Sequence, residues 1–246
     1  HDLVCVYTQP PRESGRQRKI AKTPVHDFAE QYDIDVFYPT DFKNIDDVQK
    51  FESLNLDLAI VAAYGLLLPQ SILEAPRFGC WNIHPSLLPR WRGPSPIQYA
   101  IWKGDTKTGV SLMQLVKKMD AGPIIAQSCR DILDQSTFAS LNDQLWQDGI
   151  VLLEQALSCL LKKGCVTTEP QNEDMVTYCH LLQKDAGHID WTQTAQEISC
   201  QIRGLNPWPG TWCNTKDGGR LKIIEAEVLA DLSDYNPGYI IDKGVI

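Results

Sequence analysis

The sequence predicts an α/β fold built on a mostly parallel sheet, and two observations lead to this prediction. Short apolar runs alternate with amphipathic stretches through the first half of the 246-residue chain, which is typical of strands joined by crossover helices. The composition is that of an ordinary globular protein, with 43% hydrophobic and 22% charged residues. A chain of this size buries enough surface to form a sheet core covered by helices.

Each strand of the sheet is predicted from a short apolar run. In chain order, the runs are Leu3–Tyr7, Asp35–Tyr38, Leu58–Ala62, Cys80–Ile83, Gly109–Val116 and Ile124–Ser128. Helices are predicted between and after these runs, where apolar residues recur with helical spacing. The helical segments are Val25–Gln31, Val48–Leu54, Pro94–Trp102 and a long one from Ser136 to Lys163.

The remainder of the chain predicts a linker followed by a smaller, β-rich unit. Residues 164–174 are polar and contain Pro170, which is typical of a linker. A further helix is predicted at Thr194–Arg203, and the β-patterned stretches Leu221–Leu229 and Gly238–Ile241 follow it.

The spacing of the cysteines and the hydropathy of the sequence argue against a disulfide-rich protein, a metal site and a membrane span. The eight cysteines form no C-x-x-C pair and have no histidine at zinc-ligand spacing, which favours buried thiols in a reducing compartment over disulfides or a metal site. No apolar run reaches the ~18 residues of a membrane span, and no signal peptide opens the chain. His1 directly precedes the first predicted strand and Ile246 lies on another, so we expect both ends to belong to a longer protein.

The net charge is −8, but two stretches of the sequence, which we call the basic islands, are rich in Lys and Arg. Five basic and two acidic side chains occupy residues 1–22, and six basic and one acidic side chain occupy residues 85–118. An acidic protein with such islands can bind nucleic acid locally. On charge alone, the simpler interpretation is that both islands are solvated loops that bind no partner.

The densest group of polar residues in an apolar context runs from Cys80 to Gly93. A strand period of two places Asn82 and His84 on one face, and Pro85 then ends the strand. Both side chains are therefore predicted at the carboxyl edge of the sheet, where α/β proteins bind ligands. A single Asn or His at such a position is more often structural, but the pair favours function.

Asp120 is a third candidate, because it precedes the turn residues Gly122 and Pro123. It either hydrogen-bonds its own backbone in the turn or orients a histidine. Asn, His and Asp, with no Cys or Ser nucleophile and no metal ligands, suit direct transfer of an acyl-type group. That transfer needs hydrogen-bond donors for a developing oxyanion and a proton acceptor for the attacking amine.

Four motifs together resemble the 10-formyltetrahydrofolate-dependent formyltransferase family. They are Asn82-Ile83-His84, Ser86-Leu87-Leu88-Pro89, Asp120-Ala121-Gly122-Pro123 and Ala63-Tyr64-Gly65-Leu66-Leu67-Leu68-Pro69. The resemblance covers essentially the whole chain. It implies a Rossmann-like catalytic domain over residues 1–163 without the family's first β-α unit, a linker over 164–182, and a partial, OB-like β-barrel domain that binds tRNA over 183–246.

The resemblance also implies the chemistry of the site, with 10-formyltetrahydrofolate as co-substrate and no metal. Asn82 and a protonated His84 would stabilise the tetrahedral oxyanion that forms when an amine attacks the formyl carbon. Asp120 would orient His84, favour its charged form and help move a proton from the amine to the departing N10. The folate-binding residues implied by the two loops are Tyr64, Gly65, Leu66, Ser86, Leu87, Leu88 and Pro89.

Three further features resemble the branch of this family that formylates methionyl initiator tRNA. They are Pro89-Arg90-Trp91-Arg92-Gly93 with Pro96-Ile97-Gln98, the segment from Arg203 to Gly210, and the basic loop after Thr8-Gln9-Pro10. The resemblance implies tRNA contacts by Arg12, Arg16, Arg18 and Lys19. Gln17, Lys117 and Lys118 depart from the family's pattern, so the path of the basic loop stays open. Both phosphate contact and solvation stay open for the two lysines.

Other acceptors and another class of function remain as alternatives. The same catalytic residues would serve a formyltransferase acting on a nucleotide-sugar amine or on glycinamide ribonucleotide, and a non-catalytic RNA-binding protein would keep the fold alone. We expect a monomer without membrane association, in the bacterial cytoplasm or in an organelle matrix.

Overall fold

The computed structural model describes residues 1–14, 19–229 and 236–239. The strands are β1 Val6–Tyr7, β2 Arg12–Ser14, β3 Lys19–Ala21, β4 Val36–Phe37, β5 Ala59–Val61, β6 Cys80–His84, β7 Lys107–Gln114, β8 Ile124–Asp131, β9 Thr211–Asn214 and β10 Arg220–Ile223. The α-helices are α1 Pro24–Gln31, α2 Ile45–Ser53, α3 Gln70–Glu74, α4 Pro96–Trp102, α5 Phe138–Lys163 and α6 Ala195–Leu205. Short 3₁₀ turns lie at Glu173–Met175 and Lys184–Gly187.

The strand pairings confirm the predicted α/β fold. β1 pairs with β4 and β5 pairs with β6, in both cases in parallel. The largest sheet has four strands in the order β5-β6-β7-β8. The hairpin β2–β3 is antiparallel, and it was not predicted because its polar, basic strands contain no apolar run.

The chain divides into two compact units, and the first comprises residues 1–83 and 113–122. Its core is a cluster of four buried side chains, Phe42, Val48, Phe51 and Ile72, against which Tyr7 and Tyr64 pack. Helices α1 and α2 of this unit begin at polar capping residues: Thr23 accepts a hydrogen bond from the backbone N–H of His26, and Asn44 accepts one from the backbone N–H of Asp46. Such caps satisfy backbone donors that the first helical turn leaves without partners.

The second unit comprises residues 84–112 and 123–246. Its longest element is α5, which begins with a capping box between Thr137 and Ser140 and ends at Gly164 in a left-handed conformation, φ 72°. Glycine suits that position because it has no Cβ to clash. Toward the C-terminus, α6 buries Ile198 and Ile202 in a further apolar cluster.

The C-terminal region is shorter in regular structure than predicted. β9 and β10 form one antiparallel pair, and β10 covers only the beginning of the predicted stretch Leu221–Leu229. The predicted strand Gly238–Ile241 lies partly outside the described residues. The domain boundaries at 163 and 183 and the barrel itself stay predictions. No helix in the described part of the chain is long and apolar enough to cross a membrane.

Candidate active site

β6 carries the first two candidate residues. Asn82 and His84 lie two positions apart in this strand, so their side chains leave the same face. Trp81 and Ile83 on the other face are buried and anchor the strand, while Asn82 is partly exposed. Because β5 runs parallel to β6 with Val61 opposite Asn82, Asn82 lies at the edge where the chain leaves β5 toward the predicted folate loop.

That folate loop has an irregular backbone held by one side chain. Ala63 and Gly65 have left-handed φ values of 46° and 74°. The Gln9 Nε2 amide donates a 2.8 Å hydrogen bond to the carbonyl oxygen of Tyr64. A Cβ on Gly65 would lie 2.5 Å from Gln9 Nε2, so glycine is what permits this contact.

Two side chains of this loop, Tyr64 and Leu67, lie in different surroundings. The Tyr64 ring packs on the core of the first unit, and burial raises the pKa of its hydroxyl to about 12. Leu67, in contrast, is 83% exposed. The loop therefore has one side chain packed on the core and another in the solvent.

His84 is 4% exposed and has a defined hydrogen bond in the second unit. Its Nε2 lies 3.0 Å from the carbonyl oxygen of Trp91. A carbonyl oxygen only accepts hydrogen bonds, so Nε2 is the donor and carries a proton. The backbone of Trp91 thus fixes the orientation of the imidazole ring.

The second predicted folate loop, Ser86–Pro89, is fastened by a polar network. The Ser111 hydroxyl donates to the Ser86 carbonyl oxygen at 2.6 Å and accepts from the Leu88 N–H at 3.0 Å. Gln127 Nε2 donates to Ser111 Oγ at 2.7 Å and to the Leu88 carbonyl oxygen at 3.0 Å. Ser111 is fully buried within β7. Sequence reasoning missed Ser111 and Gln127, although a serine inside an otherwise apolar strand was the available signal.

Leu87 in the same loop lies against a glycine of β7. A Cβ on Gly109 would lie 2.6 Å from Leu87 Cδ2 and 2.0 Å from the carbonyl oxygen of Ser128. Because glycine has no side chain, Gly109 allows this loop to approach the sheet closely.

Asp120 occupies a strained turn in the first unit. Its φ is 48°, in the left-handed region that Asp tolerates better than most residues. The turn is closed by the Ala121 N–H, which donates to the Lys118 carbonyl oxygen at 3.3 Å. A Cβ on Gly122 would lie 1.7 Å from the Gln114 carbonyl oxygen, so the backbone path after Asp120 requires glycine.

The segment that leads to Asp120 is tied to the strand that carries Asn82. The Leu115 N–H donates to the Cys80 carbonyl oxygen at 2.8 Å, and both candidates belong to the first unit. His84 is the first residue of the second unit. The joint catalytic role of Asn82, His84 and Asp120 stays a prediction.

The predicted tRNA contacts are described in part. Both Arg12 and Lys19 are exposed; Arg12 lies at the base of the β2–β3 hairpin opposite Ala21, and Lys19 lies at its other end opposite Ser14. Arg16 and Arg18 lie outside the described residues. Lys117 and Lys118, whose role was left open, are exposed in the turn before Asp120.

The second basic island is less basic than its sequence indicates. Arg90 donates two hydrogen bonds to the carboxylate of Asp105, which raises the pKa of Arg90. Arg92 is fully buried and donates to Glu173 Oε1 at 2.7 Å. Each of these two arginines is paired with a carboxylate, so neither offers a free positive charge to a nucleic acid.

No group of three or more His, Cys, Asp or Glu side chains within the described residues could hold a metal ion.

Comparison with known sequences gives matches along most of the chain. The formyl transferase family matches residues 1–157, and the C-terminal domain of formyl transferases matches residues 181–245. A methionyl-tRNA formyltransferase from Parvibaculum lavamentivorans is 44% identical over 99% of this chain and 79% of the relative. One from Marinobacter nauticus is 44% identical over 99% of this chain and 78% of the relative.

Solved structures share the fold at lower identity. A sugar N-formyltransferase from a Shewanella species superimposes with a TM-score of 0.68 at 19% identity, covering 85% of this chain and 82% of the other. HypX from Aquifex aeolicus in complex with tetrahydrofolic acid gives 0.59 at 20% identity, covering 76% of this chain and 32% of the other. These likenesses confirm the predicted fold, and the sequence matches identify this chain as a member of the formyl transferase family.

Proposed function

We propose that this chain transfers a formyl group from 10-formyltetrahydrofolate to the amino group of methionyl initiator tRNA, for translation initiation. The observation that carries the proposal is its similarity, over almost the whole chain, to relatives named methionyl-tRNA formyltransferase. The structural neighbours named as sugar formyltransferases are too distant in sequence to indicate an acceptor.

The residues of the two predicted folate loops fit a folate. Tyr64, Gly65 and Leu66 follow the carboxyl end of β5, and Ser86–Pro89 follow that of β6. Apolar side chains with backbone groups of irregular loops are suited to a flat heterocycle. When bound, 10-formyltetrahydrofolate supplies the formyl group and the N10 atom that leaves.

Each of the three polar candidates has its own proposed role in the formyl transfer. Asn82 donates an amide N–H to the formyl oxygen, which becomes negative as the methionyl amine attacks the carbon. A protonated His84 stabilises the same charge, and Asp120 favours that protonated form and helps the amine proton reach N10. One oxyanion donor is worth about 10²–10³ in rate, so these donors suffice as a main source of catalysis.

The acceptor is a polyanion, and the exposed basic hairpin is the proposed first contact with it. Arg12, Arg16, Arg18 and Lys19 would neutralise phosphates and so supply affinity. Because the relatives are bacterial, we further propose a cytoplasmic location. We also propose that the protein is a monomer.

The decisive experiment offers the purified protein three acceptors in the presence of 10-formyltetrahydrofolate. Methionyl initiator tRNA is expected to be formylated, whereas a 4-amino nucleotide sugar and glycinamide ribonucleotide are expected to give no product. Formylation of either small amine in preference to the tRNA would refute the proposed acceptor. Failure to formylate any of the three would favour the non-catalytic alternative.

A further inference from the structure

The polar stretch predicted as part of a linker lies along the loop that follows the catalytic strand. We call residues 171–179 the strap. The Arg92 N–H donates to the Thr177 carbonyl oxygen at 2.9 Å, and the Cys179 N–H donates to the Arg92 carbonyl oxygen at 2.8 Å. A Cβ on Gly93 would lie 2.1 Å from the Cys179 carbonyl oxygen. The strap and the loop 89–93 therefore touch through their backbones.

An ion pair between buried Arg92 and exposed Glu173 adds to this attachment. The Arg92 guanidinium is 0% exposed, and it donates from Nε and Nη2 to Gln171 Oε1 at 3.0 and 2.8 Å. Nη2 also donates to Glu173 Oε1 at 2.7 Å. A buried charge that loses its partner is strongly unfavourable, so Arg92 holds Gln171 and Glu173 of the strap against the loop 89–93.

Between the strap and the catalytic histidine lies Trp91, whose φ of 61° is in the left-handed region. A bulky residue adopts that conformation only when its surroundings hold it there. Two contacts do so: the Trp91 N–H donates to Thr177 Oγ1 at 2.9 Å, and the indole N–H donates to Asp105 Oδ2 at 2.7 Å. The Trp91 carbonyl oxygen, in turn, accepts from His84 Nε2 at 3.0 Å.

We infer that Thr177 is a positioning residue for the formyl transfer, because it fixes the backbone of Trp91 and thereby the ring of His84. Nε2 keeps its proton on the Trp91 carbonyl oxygen in both charge states of the ring, so Nδ1 is the nitrogen that carries the second proton when the ring is charged. This inference rests on the proposed function only through the assignment of His84 as a catalytic residue.

The kinetic test compares three variants of the full chain. Thr177→Val keeps the shape of the side chain but loses the acceptor for the Trp91 N–H, and Thr177→Ser keeps the hydroxyl. Thr167→Val, at an exposed threonine of the same polar stretch, is the matched control. For Thr177→Val we expect kcat to fall at least about tenfold, with KM for both substrates within about twofold.

The serine variant and the control separate positioning from mere stability. Thr177→Ser is expected to restore kcat to within about twofold of the wild type, and Thr167→Val is expected to match the wild type. If the wild type formylates methionyl-tRNA and Thr177→Val keeps a normal kcat, the inference is wrong while the proposed function stands. If the wild type formylates no acceptor, the proposed function fails and the spectroscopic test below decides the positioning.

That second test uses ¹⁵N NMR of histidine-labelled protein, with the His84 signals among the five histidines assigned by loss in His84→Gln. In the wild type we expect a slowly exchanging proton on Nε2 of His84, and in Thr177→Val a faster exchange of that proton. Two results for the wild type would overturn the inference even if Thr177→Val does not fold. One is a neutral His84 ring with its proton on Nδ1. The other is an Nε2 proton of His84 that exchanges as fast as that of exposed His180.

Discussion

Asn82 and His84 share one face of β6, and each is proposed to donate to the developing oxyanion. We expect Asn82→Ala and His84→Ala each to lower kcat at least about a hundredfold, because each removes one donor. Both variants should still fold, since Trp81 and Ile83 on the other face still anchor the strand.

Formylation of methionyl-tRNA under saturating folate measures this effect, and His180→Ala serves as the control because His180 is exposed. A well-folded variant of either residue with near-normal kcat would exclude that residue from the mechanism.

We expect the charge of Asp120 to matter for catalysis. The backbone path after it depends on Gly122, so a change of the Asp120 side chain should leave that path intact. Asp120→Asn keeps the size and hydrogen-bonding capacity of the side chain but removes the charge that favours a protonated His84. We expect a severe loss of kcat with near-normal KM for the folate, compared with Asp134→Asn at an exposed aspartate. A loss of folate affinity as large as the loss of kcat would assign Asp120 to folate binding instead.

Among the elements, β7 supports the second folate loop through Ser111. Replacing this buried serine by alanine leaves the Leu88 N–H without its acceptor, and an unsatisfied buried donor costs about 1–3 kcal/mol. Ser111→Ala is therefore expected to lower the free energy of unfolding by that amount and to raise KM for the folate more than KM for the tRNA.

Denaturant unfolding and steady-state kinetics measure the two effects of Ser111→Ala. Ser158→Ala, on an exposed position of α5, provides the comparison. Equal changes in both KM values would show that the loop does not serve the folate specifically.

Elements with a strong local signal were predictable from the sequence. The capping residues Thr23 and Asn44 explain why α1 and α2 begin near the predicted positions. α3 was missed because five residues, Gln70–Glu74, are too few to show helical periodicity.

For the candidate site, the sequence predicts positions on elements but not the contacts between distant segments. Asn82 and His84 follow from strand periodicity. The contact of Trp91 with Thr177 joins residues 86 positions apart, and no local pattern predicts it. The pairing of Arg90 and Arg92 with carboxylates is non-local in the same way, which is why the second basic island was overestimated.

At the scale of the whole molecule, an acidic protein attracts an acidic partner through local groups of basic side chains. The net charge is −8, and Arg90 and Arg92 are already paired. The exposed basic hairpin therefore carries a large share of the attraction. We expect Lys19→Ala to raise KM for methionyl-tRNA and to reduce the slope of log KM against log salt concentration by about one.

The folate KM of Lys19→Ala should stay unchanged, and Lys162→Ala, at an exposed lysine near the end of α5, should leave both quantities unaltered. Kinetics of Lys19→Ala that match the wild type across the salt series would remove the hairpin from the tRNA interface.

The contact of Gln9 with the folate loop has a consequence for how strongly each substrate affects the affinity of the protein for the other. Gln9 immediately precedes the segment of the basic hairpin, and its side chain donates to the carbonyl oxygen of Tyr64. If RNA on the hairpin moves Gln9, the shape of the folate loop changes with it. Linkage then requires that each substrate alter the affinity of the other by the same factor. Equilibrium titrations of either substrate in the presence of the other would measure one shared cooperativity factor, and Gln9→Ala would bring that factor toward one.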